Sequence, residues 1–350
     1  MTPLRIAVVG AGMIGQAHIG VVRANPACVL SAIADPSPAA SALARAADGT
    51  EVPLYATLDE LIARDKPDAV VLATPNALHL PQALQCIAAG LPVLLEKPIA
   101  PTVAEAEQLV AAVAASHARL LIGHHRAHSP IMASARQVVQ AGRLGRVVGV
   151  LGSALFFKPD SYFAAGPWRT EPGGGPILLN MIHEVHNLRM LCGEIVAVQA
   201  FASNAVRGFA VEDTVAINLR FANGALGSFL LSDTAACARS WEQTSQEDPA
   251  FANHHDEDCY VIIGTHGSLS VPTMRLKTYP NDADRSWMKP FDSDVVALQR
   301  DDPLKHQIAH FIAVARGEVA PLVSAADGLA NLRVTEAIAL AAGSGGRVEV

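Results

Sequence analysis

The chain is short of charge, of aromatic rings and of paired cysteines. Of its 350 residues only 17% are Asp, Glu, Lys or Arg and 5% are aromatic, while 51% are hydrophobic. So much apolar surface beside so little charge excludes a disordered chain. Basic residues number 26 against 33 acidic ones, a net charge of −7. Without a basic excess there is no electrostatic footprint for nucleic acid or for an anionic membrane. No stretch reaches the ~18–20 consecutive apolar residues of a membrane-spanning helix. The first apolar run, Leu4 to Val9, is cut by Gly10 and Gly12 too early for a leader peptide and reads as a strand. Five cysteines, Cys28, Cys86, Cys192, Cys237 and Cys259, form no C-x-x-C pair. An odd, scattered set implies free thiols in a reducing compartment, so a cytoplasmic protein is expected.

Several catalytic signatures are also missing. No G-x-x-x-x-G-K-[ST] run and no G-x-S-x-G occurs, which argues against a P-loop nucleotidase and an α/β-hydrolase. Thirteen histidines invite a metal, with His124/His125/His128, His183/His186 and His254/His255 the tightest groups. His183-Glu184-Val185-His186 is one residue short of H-E-x-x-H, and no cysteine ligand set accompanies it, so no metal is expected.

The first third alternates short apolar runs with Ala-rich segments of helical spacing. Residues 5–9, 29–34, 69–73, 92–95 and 120–122 read as strands, and 13–24, 38–47, 58–63, 77–89 and 103–116 as helices. Strands apolar throughout belong in a parallel sheet covered on both faces, and strand–helix alternation gives the doubly wound class. Gly90 suits the left-handed residue after a helix, with Pro92 blocking its continuation. After Gly123 the pattern changes: a helix at 130–142, a strand at 147–157, a long loop over 158–176 and a helix over 177–191. Strands at 195–206, 214–221, 225–231, 259–263 and 268–271 follow, joined by hairpin turns at 222–224 and 266–267, which predict a largely antiparallel sheet. Residues 235–256 are polar and poorly patterned. Helices at 303–316 and 325–342 and a short strand at Val348 close the chain. Domains of about 100–200 residues suggest two, a Rossmann domain over 1–122 and an α/β domain over 123–350, the last helices packing back on the first.

Gly10-Ala11-Gly12-Met13-Ile14-Gly15 is a G-x-G-x-x-G run between a predicted strand and a predicted helix. The first glycine makes the tight turn, the second lets the backbone approach a pyrophosphate at the helix N-terminus, and the third lets helix and strand pack closely. Asp35 follows the second strand, about 20 residues further on as a ribose-binding acid requires. Its carboxylate can accept both ribose hydroxyls and repels a 2′-phosphate, which favours NAD over NADP. A plain βα turn with Asp35 as a helix cap is the competing reading.

Two further segments, Thr74-Pro75-Asn76-Ala77-Leu78-His79 and Glu96-Lys97-Pro98, each follow a predicted strand. With the glycine loop, with Gly173-Gly174-Gly175 and His183, and with the closing stretch 321–328, the whole chain resembles the Gfo/Idh/MocA family of oxidoreductases. The resemblance implies a Rossmann domain, an α/β domain whose open sheet often forms a homodimer or homotetramer interface, and a substrate that is a sugar, cyclitol or related polyol. It implies that Thr74, Pro75, Asn76 and His79 line the dinucleotide site, that Glu96 touches the cofactor and that Lys97 sits beside the nicotinamide. A lysine at a buried strand end can stabilise charge on the substrate oxygen during hydride transfer. His183 matches the family's general base, and a histidine titrates near neutrality as that role needs.

The chain departs from the family pattern at two positions. Leu179 and His186 stand where many members carry aspartates, four residues before the histidine and three after it. Asn180 and His186 are expected near the substrate. Arg126 keeps the first position of a family Arg-Arg pair, while Ala127 replaces the second. Trp168 and Arg169 fall in the loop that the family places over the substrate, and Arg169 is expected to reach a hydroxyl or carboxylate. Two other readings stand beside an NAD-dependent dehydrogenase: a dinucleotide-binding regulator without turnover, motivated by the missing aspartates, and NAD-assisted bond cleavage.

Overall fold

Strands that are apolar on both faces exclude water only when covered on both sides, and five of the first six strands line up that way. The computed structural model describes residues 2–46 and 49–350. β1 (Leu4–Val9), α1 (Met13–Ala24), β2 (Cys28–Ala34), α2 (Ser41–Ala44), β3 (Leu54–Tyr55), α3 (Leu58–Arg64), β4 (Ala69–Leu72), α4 (His79–Ala88), β5 (Val93–Glu96), α5 (Val103–Ser116) and β6 (Leu120–Gly123) alternate. The strands form one sheet in the order β3-β2-β1-β4-β5-β6, every pair parallel. β4, β5 and β6 are buried along their whole length. This is the Rossmann arrangement, with its order reversing between β1 and β4.

Local signals set the helix ends. Thr57 and Thr102 cap α3 and α5 by accepting from Glu60 N and Glu105 N. Gly90, at φ +72°, ends α4 as expected. The helix expected over 38–47 is shorter. It is a 3₁₀ turn at Pro38–Ala40 followed by α2, because Arg45 leaves the helix to bridge Glu51 and its guanidinium bonds that carboxylate at 2.7 Å. The stretch expected to end at Ala47 lies there outside the described residues.

In the later part, α6 (Pro130–Gln140) is capped by Ser129, which accepts from Ile131 N and Met132 N. β7 (Val147–Phe157) follows. The loop expected over 158–176 contains α7 (Asp160–Ala164) and a 3₁₀ turn at Pro167–Thr170. The next helix opens with a π-helical turn, Ile177–Met181, before α8 (Ile182–Cys192), which Gly193 ends at φ +98°. Then come β8 (Ile195–Ser203), β9 (Thr214–Phe221), β10 (Leu226–Ser232), β11 (Thr234–Arg239), α9 (Trp241–Thr244), β12 (Tyr260–Gly264), β13 (Gly267–Val271), β14 (Arg275–Thr278) and β15 (Asp292–Val295). α10 (Pro303–Arg316), α11 (Ala325–Ser344) and β16 (Arg347–Glu349) finish the chain. The sheet runs β15-β14-β13-β12-β7-β10-β9-β8-β16, with β11 on β7. Its neighbours are antiparallel, as the hairpin turns predict, except β10 and β7, which pair parallel. Strands β3, β11, β14 and β15 and the short α9 carry no apolar period and were not expected.

Contacts divide the chain into two compact units. One runs to His128 and takes in Pro303–Leu332; the other holds Ser129–Asp302 and Arg333–Val350. The first extends past the break expected after residue 122 because the turn His125–His128 packs on α10, with the His128 and His310 rings 5.1 Å apart. Within the second unit, one sheet face packs on α6, α8 and the later half of α11, through Met132, Val185, Leu188 and Ile338. No helix among the described residues is long and apolar enough to cross a membrane.

Candidate active site

The glycine loop leaves β1 and enters α1 at the carboxyl edge of the parallel sheet. Gly10 is at φ +90°, and a Cβ there would lie 2.5 Å from the Ala73 carbonyl oxygen, so the loops after β1 and β4 abut. A Cβ on Gly15 would lie 1.9 Å from the Gly10 carbonyl oxygen. Gly12 is different: a Cβ there would meet nothing within 4 Å. Gly12 is also the N-cap of α1 and offers no side-chain cap, which leaves the first amides of the helix, at Met13 and Ile14, turned to open space. Helix-start amides beside a backbone with no Cβ form a cradle for a diphosphate. Asp35, at the end of β2, accepts from Ala11 N at 2.6 Å and from Ser37 N at 2.8 Å. These bonds tie the acid to the glycine loop and use one lone pair on each oxygen, so the carboxylate keeps acceptors for a ribose diol. The residues present therefore fit a dinucleotide.

The two neighbouring strand ends are tied together differently. Thr74 donates its hydroxyl to Gln82 at 2.6 Å. His79 is buried, with Nδ1 2.6 Å from the Pro98 carbonyl oxygen and Nε2 2.9 Å from that of Thr74. It is a bracket between the loops after β4 and β5, so its place is beneath that surface. Burial pushes its pKa below the ordinary imidazole value, against the two carbonyls and Glu96. Pro75 is exposed, and Asn76 is half-buried where the 3₁₀ turn Asn76–Leu78 begins.

Glu96 ends β5 fully enclosed, and its Oε1 lies 2.7 Å from Nε2 of His18, a residue of the buried face of α1. A Cβ on Gly123 would lie 2.8 Å from that carboxylate, so β6 leaves just the room it needs. Burial pushes the Glu96 pKa up, but the His18 hydrogen bond and the charges of His18, His125 and Lys97 outweigh it and hold it below the usual carboxylate value. Lys97 N also donates to Glu96 Oε2 at 3.2 Å. The half-buried Lys97 thus stands on a fixed anionic base at the same sheet edge as the glycine loop. His18 carries no separate signal in the sequence beyond its position three residues after Gly15. Arg126 is buried in the turn His125–His128.

The second unit holds the remaining expected residues. α8 is buried on all sides, His183 and His186 included. Glu184 accepts from the Tyr260 hydroxyl, and Asn187 Nδ2 donates to that hydroxyl at 3.0 Å. Asn180, in the π-helical turn, accepts from Lys158 Nζ at 2.7 Å. Trp168 is 55% exposed, and Arg169 lies over the Tyr162 ring at 3.9 Å. Lys158, Tyr162, Arg207 and Asp233 were not anticipated. They are scattered in sequence and meet where the chain leaves β7 and β10, Lys158 N donating to the Asp233 carbonyl at 2.9 Å. Among the described residues no group of three His, Cys, Asp or Glu side chains is placed to hold a metal ion.

A parallel sheet of reversing order, an open helix-start cradle, a tethered acid and a lysine at the next strand ends define an NAD-binding Rossmann oxidoreductase. Comparison with known proteins gives the family. Residues 4–124 match the model of an oxidoreductase family with an NAD-binding Rossmann fold, and residues 132–270 match the GFO/IDH/MocA C-terminal domain. The chain belongs to the Gfo/Idh/MocA family. It is 27% identical to the rhizopine catabolism protein MocA of Rhizobium meliloti, over 96% of this chain and 94% of that one. It is 26% identical to inositol 2-dehydrogenase of the same species, over 95% of each. Among solved structures, aldose–aldose oxidoreductase from Caulobacter crescentus, complexed with glycerol, superimposes with a TM-score of 0.77 at 25% identity over the whole of both chains.

Proposed function

We propose that the protein transfers hydride between NAD and a secondary alcohol or ketone of a sugar, cyclitol or related polyol. The observation that carries this is Lys97, held over the buried His18–Glu96 pair at the sheet edge that also bears the Gly12 cradle and Asp35. NAD, when bound, supplies the hydride acceptor. Gly10, Gly12, Met13, Ile14 and Gly15 hold its diphosphate, and Asp35 holds a ribose diol. The Lys97 ammonium stabilises negative charge on the reacting oxygen. His183 takes the hydroxyl proton during oxidation and returns it during reduction. Asn180, Trp168 and Arg169 contact the substrate. The relatives' names, an inositol dehydrogenase and an aldose oxidoreductase among them, support polyol substrates.

The five cysteines are free thiols, which supports a cytoplasmic place, and the apolar residues on the outer sheet face support a homo-oligomer. The test is turnover on a panel of polyols, followed at 340 nm. Lys97→Ala should lower kcat by about a hundredfold or more while the Kd for NADH changes little, since one electrostatic stabiliser is worth that much. Retained turnover in Lys97→Ala would remove its role. NADH binding without turnover on any polyol would favour the regulatory reading instead.

A further inference from the structure

Tyr162 has two cations against its ring. Arg169 Cζ lies 3.9 Å from the centre of its ring and Lys158 Nζ 4.9 Å. Lys158 is well provided for. It donates to Asn180 Oδ1, lies 3.6 Å from Asp233 Oδ2 and 5.3 Å from the Phe156 ring, and feels the charge of Glu242. Arg207 is provided for as well: its Nε is 3.0 Å from Asp233 Oδ1, and its Nη2 donates to the Lys158 carbonyl at 2.8 Å. One buried carboxylate, Asp233, therefore serves two of the three cations.

Arg169 is the third, and no carboxylate among the described residues pairs with it. Its Nη1 donates to the Tyr162 carbonyl, and its Nε is buried with no protein acceptor. The position is built for it. Gly166 leaves room for the guanidinium, since a Cβ there would come to 3.0 Å from Cζ and Nε, and the Trp168 ring centre lies 5.6 Å from Cζ. A guanidinium held beside two aromatic rings, with its Nη2 spent on no acceptor among the described residues, fits an oxygen of a ligand carboxylate. Lys158, against the same phenol ring, adds a second positive charge. Glu212 is a further acid that feels Lys158, and burial pushes its pKa up, toward the neutral form.

We infer that the substrate is a polyhydroxy acid, a uronate or aldonate, whose carboxylate is read by Arg169 and Lys158. This rests on the polyol reading above and narrows it.

The experiment compares D-glucuronate, D-galacturonate and D-gluconate with D-glucose, D-galactose and myo-inositol. kcat/KM is measured for each, and calorimetry of the NADH-bound protein reads binding without turnover. Charge-assisted pairs predict an acid-over-neutral preference of about 10–100-fold in both measurements. Arg169→Gln should bring that ratio close to one. Arg169→Lys, which keeps charge but loses the planar fork, should retain only part of it, and Lys158→Met should lower it too. Equal or better handling of the neutral sugars by the unaltered protein would overturn the inference, as would an acid preference that survives in Arg169→Gln. If no compound is oxidised but the acids still bind preferentially, the polyol-dehydrogenase reading fails while the carboxylate site stands.

Discussion

Gly12 and Gly15 lie one turn apart, yet a side chain at each would meet opposite surroundings. Gly12→Ser fills open space at a helix N-cap, where serine is favoured, so the free protein should keep or slightly raise its stability. The same hydroxymethyl group occupies the diphosphate cradle, so the NADH Kd should rise by about tenfold or more. Gly15→Ala forces a Cβ against a carbonyl oxygen and should lose about 3 kcal/mol of stability, read as the shift of a urea midpoint. Unchanged NADH affinity in Gly12→Ser would show that the diphosphate lies elsewhere.

His18 belongs to the same scale. His18→Leu leaves Glu96 enclosed without its nearest partner and should cost about 3–5 kcal/mol at neutral pH. The folded-state pKa of Glu96 is depressed. Its stabilisation is therefore full above the ordinary value of 4.5 and fades as pH falls through the lower folded value, so the gap between His18→Leu and the parent should shrink in acid. Lys158 gives a third prediction. Burial brings its pKa down to about 8, opposed by Asp233 and Glu242 and aided by Arg169. The acid-over-neutral ratio in kcat/KM should decline as pH passes about 8, as the ammonium is lost.

At the scale of elements, the π-helical turn Ile177–Met181 is held by Glu212, which accepts from Ile177 N at 2.8 Å and fills the space that a Cβ on Gly175 would take. Burial raises the Glu212 pKa, against the Ile177 amide. Its favourable effect on folding is thus complete below 4.5 and lost as pH rises through the raised folded value. Glu212→Gln keeps an acceptor for Ile177 N without a charge. Its melting temperature should match or exceed that of the parent at pH 7.5, with the difference closing toward pH 4.5.

Elements of this kind mark how far the sequence could be read. β1, α1, β9 and α10 stand out because each buries a periodic or continuous apolar face of its own. β15, the exposed run Asp292–Val295, has no such face; it exists because β14 offers an edge to pair with. The π-helical turn depends on a carboxylate 35 residues away. In the site, the glycine loop and Asp35 were legible because their chemistry is local. Lys158 and Asp233, 75 residues apart and brought together by the pairing of β10 and β11 with β7, were not.

The whole second sheet turns one face away from its core. On it Leu151, Leu226, Leu230 and Phe201 are 42–66% exposed, with Ser228 of β10 opposite Leu151 and Ala216 of β9 opposite both Leu230 and Phe201. An apolar face of that extent suits a second copy of the chain. Light scattering should give the mass of a dimer or tetramer, and Leu230→Glu with Leu151→Asp should release monomers. A monomeric parent protein would count against the homo-oligomer.

Neither unit is a contiguous piece of chain. The first is closed by residues that arrive only after Ser129–Asp302 of the second, and α11 is shared, its opening turns counted with one and its later turns with the other. A fragment stopping at His128 would leave the nucleotide half without Phe311 and Ile312, both buried. During synthesis the dinucleotide-binding half must therefore wait, unfinished, until Leu332 has been added, and chains stopped between His128 and Pro303 should fail to bind NADH rather than persist as a working amino-terminal remnant.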